Sequence, residues 1–288
     1  MKVVLFCGGF GLRMREFSES VPKPMVQVGN RPILWHIMKY YAHYGHKDFI
    51  LCLGWQADVV KRYFLEYDEC VSNDFVLTGG GRSVELMHSD IQDWRITFVD
   101  TGTQSNIGQR LRAVREHVRG EGTFLANYTD GLSDVPIDQM IEDFHAGDAV
   151  ASFLSVKPYS NSFHAVRVDE GGDITSIEPV AETGLLMNGG FFVMSETFFD
   201  YIEDGEEMVE EPFQRLIGER KLSTYIHDGF WSCMDTFKEK QALDDLYATG
   251  HPPWALWQHD RVARPPARKP RVAAAPLAVD SGDLATSG

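Results

Sequence analysis

The sequence predicts an α/β fold in which a mostly parallel, mixed sheet is flanked by helices and carries a smaller β-rich extension. Two observations predict the sheet and its helices. Short apolar runs recur along the first half, too continuous for strands with one wet face. Between them lie longer stretches whose apolar residues return at helical spacing. A third observation predicts the extension: from about Ser162 the texture changes to short strands separated by Gly-rich turns.

Lys2–Phe6, Phe49–Leu53, Ile96–Val99, Phe124–Asn127 and Ala149–Val156 read as buried strands. Ile33–Tyr44, Ala57–Tyr67, Gly108–Val118 and Ile137–His145 read as helices. In the first of these Ile33, Ile37, Tyr40, Tyr41 and Tyr44 fall on one broad face, and Pro32 stands at the start, where a missing N–H costs nothing. This strand–helix alternation implies a Rossmann-like parallel sheet. Glu69–Asp93, with Gly79–Gly81 inside it, reads as a hairpin excursion. Ala165–Val168, Thr175–Ile177 and Asn188–Val193 are the short strands of the antiparallel extension, followed by helices near Pro212–Glu219 and Phe237–Tyr247. Residues 1–258 thus form one domain. Residues 259–288, rich in Pro, Ala, basic and Ser/Gly/Asp residues, read as a disordered tail that cannot bury enough apolar surface to offset its ordering entropy.

The 288 residues are 43% apolar and 12% aromatic, enough for a real core, which excludes wholesale disorder. A formal net charge of −15 argues against nucleic-acid or anionic-membrane partners. A phosphate ligand would then need a local cationic pocket, so each well-placed Arg or Lys carries information. The apolar run at Val3–Phe6 is too short for a signal-peptide core, and no run reaches membrane-spanning length. The four cysteines show neither CxxC spacing nor the density of a disulfide framework, so a reduced cytoplasm is the expected compartment.

The most informative segment follows the first strand: Phe6-Cys7-Gly8-Gly9-Phe10-Gly11-Leu12-Arg13, then Pro22-Lys23-Pro24-Met25. Glycines after a buried strand let backbone N–H groups approach a triphosphate, and Arg13 and Lys23 supply positive charge. The loop is not a P-loop, which needs GxxxxGK[ST], and it does not open directly into a helix as a dinucleotide fingerprint does. Asp130 follows the apolar run of a predicted parallel strand, at the end where ligands bind in open α/β sheets. Asp235 lies far along the chain after Trp231. Two carboxylates meeting at one point could hold Mg²⁺, a hard cation that prefers oxygen ligands and substrate phosphates. Cys7 reads as a small core residue, His36 and His43 as packing or surface histidines, and Trp35, Trp254 and Trp257 as core or interface aromatics.

The loop resembles the GGxGTR…PKP signature of sugar-nucleotide pyrophosphorylases. Further matches resemble the glucose-1-phosphate cytidylyltransferases: Lys23–Val26, Pro32–Met38, Val99–Gly102, Gly108 with Arg110–Leu111, Asp130–Gly131, Asn188–Phe192, and Gly229–Trp231 with Met234–Thr236. The resemblance runs to about Trp257. It implies transfer of a nucleotidyl group from a nucleoside triphosphate, CTP in this subfamily, to a sugar 1-phosphate, with release of pyrophosphate. It further implies a nucleotide site at Phe6–Gly11, Arg13, Lys23, Ser105, Arg110 and Thr129, with Arg13, Lys23 and Asp130 catalytic. Asp130 and Asp235 would bind Mg²⁺; Glu178, Asn188, Gly189 and Trp231 would bind the sugar phosphate in the β-rich extension. Family members assemble, so a homo-oligomer is implied too.

Four departures bear on activity. The family's GTR is Gly11-Leu12-Arg13 here, its GDG is Thr129-Asp130-Gly131, and its RFG is Ser162-Phe163-His164. Its EKP element, counted back from Asn188, falls on Glu178-Pro179-Val180, so Pro179 stands where a phosphate-binding Lys belongs. Losing a charge-assisted contact costs roughly 1.5–3 kcal/mol, about ten- to a hundredfold in binding. An altered acceptor, such as a modified sugar or cyclitol, is one expectation; recovery of a cation from elsewhere, His164 among the candidates, is another. The alternative is a non-catalytic nucleotide- or sugar-phosphate-binding subunit of the same fold.

Overall fold

The computed structural model describes residues 1–8, 21–158 and 163–258. The expectations made for Gly9, Phe10, Gly11, Leu12, Arg13, Ser162 and the tail at 259–288 lie outside the described residues. The described chain divides into two units, one of residues 1–67 with 93–258 and one of residues 68–92.

In the larger unit β1 (Lys2–Phe6) is followed by a two-stranded ribbon, β2 (Gln27–Val28) and β3 (Arg31–Pro32), and then α1 (Ile33–His43) and β4 (Asp48–Leu53). Next comes α2 (Ala57–Leu65). The smaller unit then supplies the hairpin β5 (Phe75–Thr78) and β6 (Ser83–Leu86), which turns at Gly79–Gly81 as the sequence predicts. A buried network holds its base, with Asn73 Nδ2 donating to Asp90 Oδ2 at 2.8 Å and to Glu69 Oε2 at 2.9 Å.

The larger unit resumes with β7 (Arg95–Asp100), α3 (Ile107–Ala113), α4 (Arg115–Val118), β8 (Thr123–Tyr128), β9 (Gly131–Ser133), α5 (Ile137–Ala146) and β10 (Ala151–Val156). A hairpin of β11 (His164–Val168) and β12 (Ile174–Pro179) leads to β13 (Met187–Asn188) and β14 (Phe192–Ser195). The chain finishes with α6 (Glu211–Gly218), β15 (Leu222–His227), β16 (Trp231–Cys233) and α7 (Phe237–Ala248).

One sheet organises the larger unit, with strand order β7, β4, β1, β8, β14, β10 and β15. β7, β4, β1 and β8 run parallel. β14 is antiparallel to both β8 and β10, so β10 and its parallel neighbour β15 point the same way as β1. The C-terminal ends of six strands therefore share one edge. Val3, Val4, Leu5 and Phe6 are all buried, which is why β1 reads as a continuous apolar run rather than an alternating one. Val4 and Phe6 pack with Ile50, Leu111, Phe124 and Phe192 in the core on one face.

Three expectations are corrected. The helix predicted over Gly108–Val118 breaks at Val114, whose N–H bonds Leu111 O at 3.2 Å instead of continuing the α ladder. The strand predicted over Asn188–Val193 is two pieces, β13 and β14, both lying antiparallel along one edge of β10. Between them Gly190 (φ 77°) and Phe191 (φ 49°) are left-handed, and the Phe191 N–H leaves the ladder to bond Asn127 Oδ1 at 2.9 Å. The β-rich region is also only partly an extension. β14 sits inside the main sheet and β11–β12 forms a separate exposed hairpin, while β9, β15 and β16 went unpredicted.

Candidate active site

The site forms where the chain, having placed β4 and β7 on one side of β1, returns to place β8 on the other. A crevice opens at such a reversal, beyond the strands' C-terminal ends. There a pocket of about 150 Å³ is lined by Phe6, Cys7, Gly8, Lys23, Thr129 and Asp130, among others.

Lys23 arrives on a one-turn 3-10 segment, Lys23–Met25, closed by the Met25 N–H bonding Pro22 O at 2.8 Å. Its ammonium lies 2.6 Å from Asp130 Oδ2 and 2.5 Å from Asp235 Oδ1. The two aspartates lie 107 and 212 residues further along the chain, so only the fold brings the three together. Burial disfavours the Lys23 charge, but the two carboxylates outweigh it and raise its pKa. β9 and β16 hold Asp130 and Asp235 in register, Gly131 opposite Cys233, and the Met234 N–H bonds Asp130 O at 2.8 Å. A capping box starts α7: Thr236 Oγ1 accepts from the Glu239 N–H at 3.3 Å, and Glu239 Oε2 accepts from the Thr236 N–H at 2.8 Å. The same carboxylate also accepts from the Asp235 N–H at 2.8 Å, which fixes the backbone beneath the second aspartate. Sequence reasoning missed Glu239, although Thr236-x-x-Glu239 is a legible capping signature.

Arg110 lies beside the start of the Gly-rich loop and is 1% exposed. Its Nη1 donates to Leu53 O at 3.2 Å and to Thr101 Oγ1 at 2.8 Å, and its Nε–H has no acceptor among the described residues. A Cβ on residue 8 would stand 2.0 Å from that Nη1, so only glycine leaves room for the guanidinium against the loop. Burial pushes the Arg110 pKa below its ordinary value. Ser105 Oγ donates to Thr101 O at 2.5 Å, which joins it to the same network.

Other predicted residues are turned to different tasks. Thr129 is buried in the pocket wall with its hydroxyl donating to Phe6 O at 2.8 Å, which ties the end of β8 to β1. The Cys7 N–H is committed to Cys52 O at 3.0 Å, and burial pushes its thiol well up, as suits a core cysteine and not a nucleophile. Asn188 Oδ1 accepts from the Gly190 N–H at 2.9 Å, and the Trp231 indole N–H donates to Gly189 O at 2.8 Å, so three of the four predicted sugar-phosphate residues form one connected wall. The fourth, Glu178, lies on the β11–β12 hairpin, 3.4 Å from Arg167 Nε. His164 is directly opposite Pro179 in that hairpin.

These features define an α/β fold with a candidate site in which Gly8, the half-buried Lys23, the buried Arg110 and the paired carboxylates of Asp130 and Asp235 stand together at the strands' C-terminal edge. Residues 2–239 match the model of the Nucleotidyl transferase family, and the chain belongs to that family. It is 37% identical over 259 residues to a glucose-1-phosphate cytidylyltransferase of Salmonella typhi, covering 90% of this chain and 100% of that protein. A probable glucose-1-phosphate cytidylyltransferase of Bacillus subtilis is 36% identical over 89% of this chain and 100% of its own length. The fold is shared with a putative glucose-1-phosphate thymidylyltransferase of Bacillus anthracis, with a TM-score of 0.61 at 17% identity over 85% of this chain and 94% of that one. HddC from Yersinia pseudotuberculosis matches at a TM-score of 0.60 and 16% identity, over 85% and 99%. Among the described residues no helix is long and apolar enough to cross a membrane.

Proposed function

We propose that the protein transfers a cytidylyl group from CTP to a sugar 1-phosphate, glucose 1-phosphate or a related phosphorylated sugar or cyclitol. The observation that carries this reading is the convergence of Lys23, Asp130 and Asp235 on one point beside Gly8. The curated relatives that match over their whole length supply the nucleotide and the acceptor class.

An oxygen of the sugar phosphate attacks the α-phosphorus, the bond from that phosphorus to the bridging oxygen breaks, and pyrophosphate leaves. Such a reaction depends on positioning and charge neutralisation, not on a covalent nucleophile. Asp130 and Asp235 fit Mg²⁺: both aim an oxygen at a single cation position, where the Lys23 ammonium stands. No cluster of three or more His, Cys, Asp or Glu among the described residues forms a closed metal cage, and Mg²⁺ is commonly held by one or two carboxylates plus substrate phosphates. When bound there it would supply positive charge to phosphate oxygens. Lys23, released from the two carboxylates when they hold the metal, would neutralise phosphate charge, and Arg110 would add positive charge beside Gly8.

The test is pyrophosphate release from purified protein with Mg²⁺, each NTP and a panel of sugar 1-phosphates. Turnover with CTP is expected, and nucleotide binding without turnover on any pair would overturn the reading. Asp130→Asn and Asp235→Asn should each lower kcat by about a hundredfold or more while the protein still folds, shown by a cooperative thermal transition. With Pro179 where the resemblance implies a phosphate-binding Lys, and Glu178 beside it, the hold on the phosphate of glucose 1-phosphate is weakened at this position. Pro179→Lys should therefore improve glucose 1-phosphate binding about tenfold, measured as KM.

A further inference from the structure

A second pocket, of about 340 Å³, opens on the same edge of the sheet and is lined by Lys157, Pro158, His227, Asp228, Gly229 and Trp231, beside Val156. That volume falls within the roughly 300–1,000 Å³ of small-molecule sites. Val156 ends β10 and His227 ends β15, and the two are paired across the parallel ladder. β10 lies two strands from β8, so the pocket stands roughly 10 Å along the edge from the strand that leads to Asp130. β16 joins the two places, because Cys233 pairs with Gly131 at one end and Trp231 forms pocket wall at the other. β13 adjoins it as well, with Ser155 opposite Asn188.

The walls are chemically distinct. The Trp231 N–H is committed to Gly189 O, which leaves indole carbon surface for a ring to lie on. Lys157 Nζ is 2.7 Å from Asp228 Oδ1, and both side chains are exposed, so donors and an acceptor stand together at the pocket with net charge near zero. Lys157 holds the Asp228 carboxyl below its usual range, which keeps that acceptor ionised. Beneath them the turn is rigid: Asp134 Oδ1 bonds His227 Nε2 at 2.7 Å and the Phe230 N–H at 2.8 Å. A neutral donor–acceptor pair beside an aromatic suits hydroxyl groups on a ring better than it suits a second anion, which Asp228 would repel.

We propose that Lys157 and Asp228 are specificity-determining residues that read hydroxyls of the acceptor remote from the transferred phosphate. The proposal rests on the transferase reading for the position of the phosphate end. Lys157→Met and Asp228→Asn should each raise the acceptor KM about tenfold or more, the worth of a charge-assisted hydrogen bond, with the CTP KM within about twofold. With 4-deoxy- and 6-deoxyglucose 1-phosphate, the acceptor lacking the hydroxyl that Lys157 reads should show no more than about a threefold effect of Lys157→Met.

Calorimetric binding of glucose 1-phosphate to wild type and both variants separates the two readings. A catalytically competent wild type whose variants keep acceptor KM and binding within twofold overturns this proposal and leaves the transferase standing. Binding that weakens tenfold in Lys157→Met, in a protein that releases no pyrophosphate with any pair, supports the pocket and overturns the transferase. A wild type that neither binds glucose 1-phosphate nor transfers to any acceptor overturns both.

Discussion

Arg110 is the side chain whose burial, we propose, serves a ligand more than it serves the apo fold. It is buried without a carboxylate among its hydrogen-bond acceptors, and one of its donors has no acceptor among the described residues. The acceptors it does use need little from it, because Leu53 O also receives the Thr101 N–H at 2.9 Å and the Thr101 hydroxyl at 2.8 Å. Arg110→Met should therefore leave the melting temperature unchanged or slightly higher, since a buried charge gives way to apolar packing. The same variant should weaken CTP binding by about tenfold or more, and calorimetry alongside thermal unfolding checks both at once. The type and position of Arg110 were legible in the sequence, but its burial against Gly8 was not, because that contact joins residues 102 positions apart. Thr129 is the opposite case. Its hydroxyl reads as a group beside the nucleotide, yet the Phe6 carbonyl claims it.

At the scale of elements, strands with continuous apolar runs and helices with a broad apolar stripe were legible because each carries its own period. β9, β15 and β16 were not. Leu222–His227 has no fully buried residue and no regular alternation, and becomes a strand by pairing along all six residues of β10. The break between β13 and β14 was equally hidden, since it depends on Asn127 capturing an amide 64 residues away.

Helix α1 supports a different argument, about pH. His36 on its buried face donates from Nε2 to Val28 O at 2.9 Å, and its Nδ1 accepts from the Trp254 indole N–H at 3.3 Å. Burial holds its pKa at about 4, against the smaller opposite pull of the Val28 and Arg31 backbone. Protonating Nδ1 would set two donors against each other. The unfolded chain takes up this proton near pH 6.5 and the folded one only near 4, so the stabilisation is complete above pH 6.5 and is lost as pH falls through that window. The loss should reach roughly 3 kcal/mol at most. Urea unfolding across that range should show the slope in wild type and a flatter one in His36→Gln.

The same contacts decide where the folded molecule ends. Trp254 is fully buried, Trp257 is 7% exposed, and both pack edge-on against α1, Trp254 on His36 at 6.0 Å and Trp257 on Trp35 at 5.8 Å between ring centroids. Trp254 also lies against Phe230 at 5.6 Å, on the turn that precedes β16 and Asp235. Trp254 and Trp257 therefore close the core, and Trp254 joins the first helix to the turn before β16. Removing a buried Trp costs about 3–5 kcal/mol, and a domain of this kind holds only about 5–15 kcal/mol in total. We propose that the transferase domain ends at about residue 258. A chain ending at residue 258 should melt within about 2 °C of the full protein and keep its pyrophosphate release, because both tryptophans and their contacts are retained. A chain ending at residue 250 forfeits both tryptophans and should unfold at least about 10 °C lower or fail to fold, taking activity with it. Equal melting of the two truncations would show that the tryptophans are surface ornament to the core; a loss of stability already at 258 would show that the domain extends beyond it.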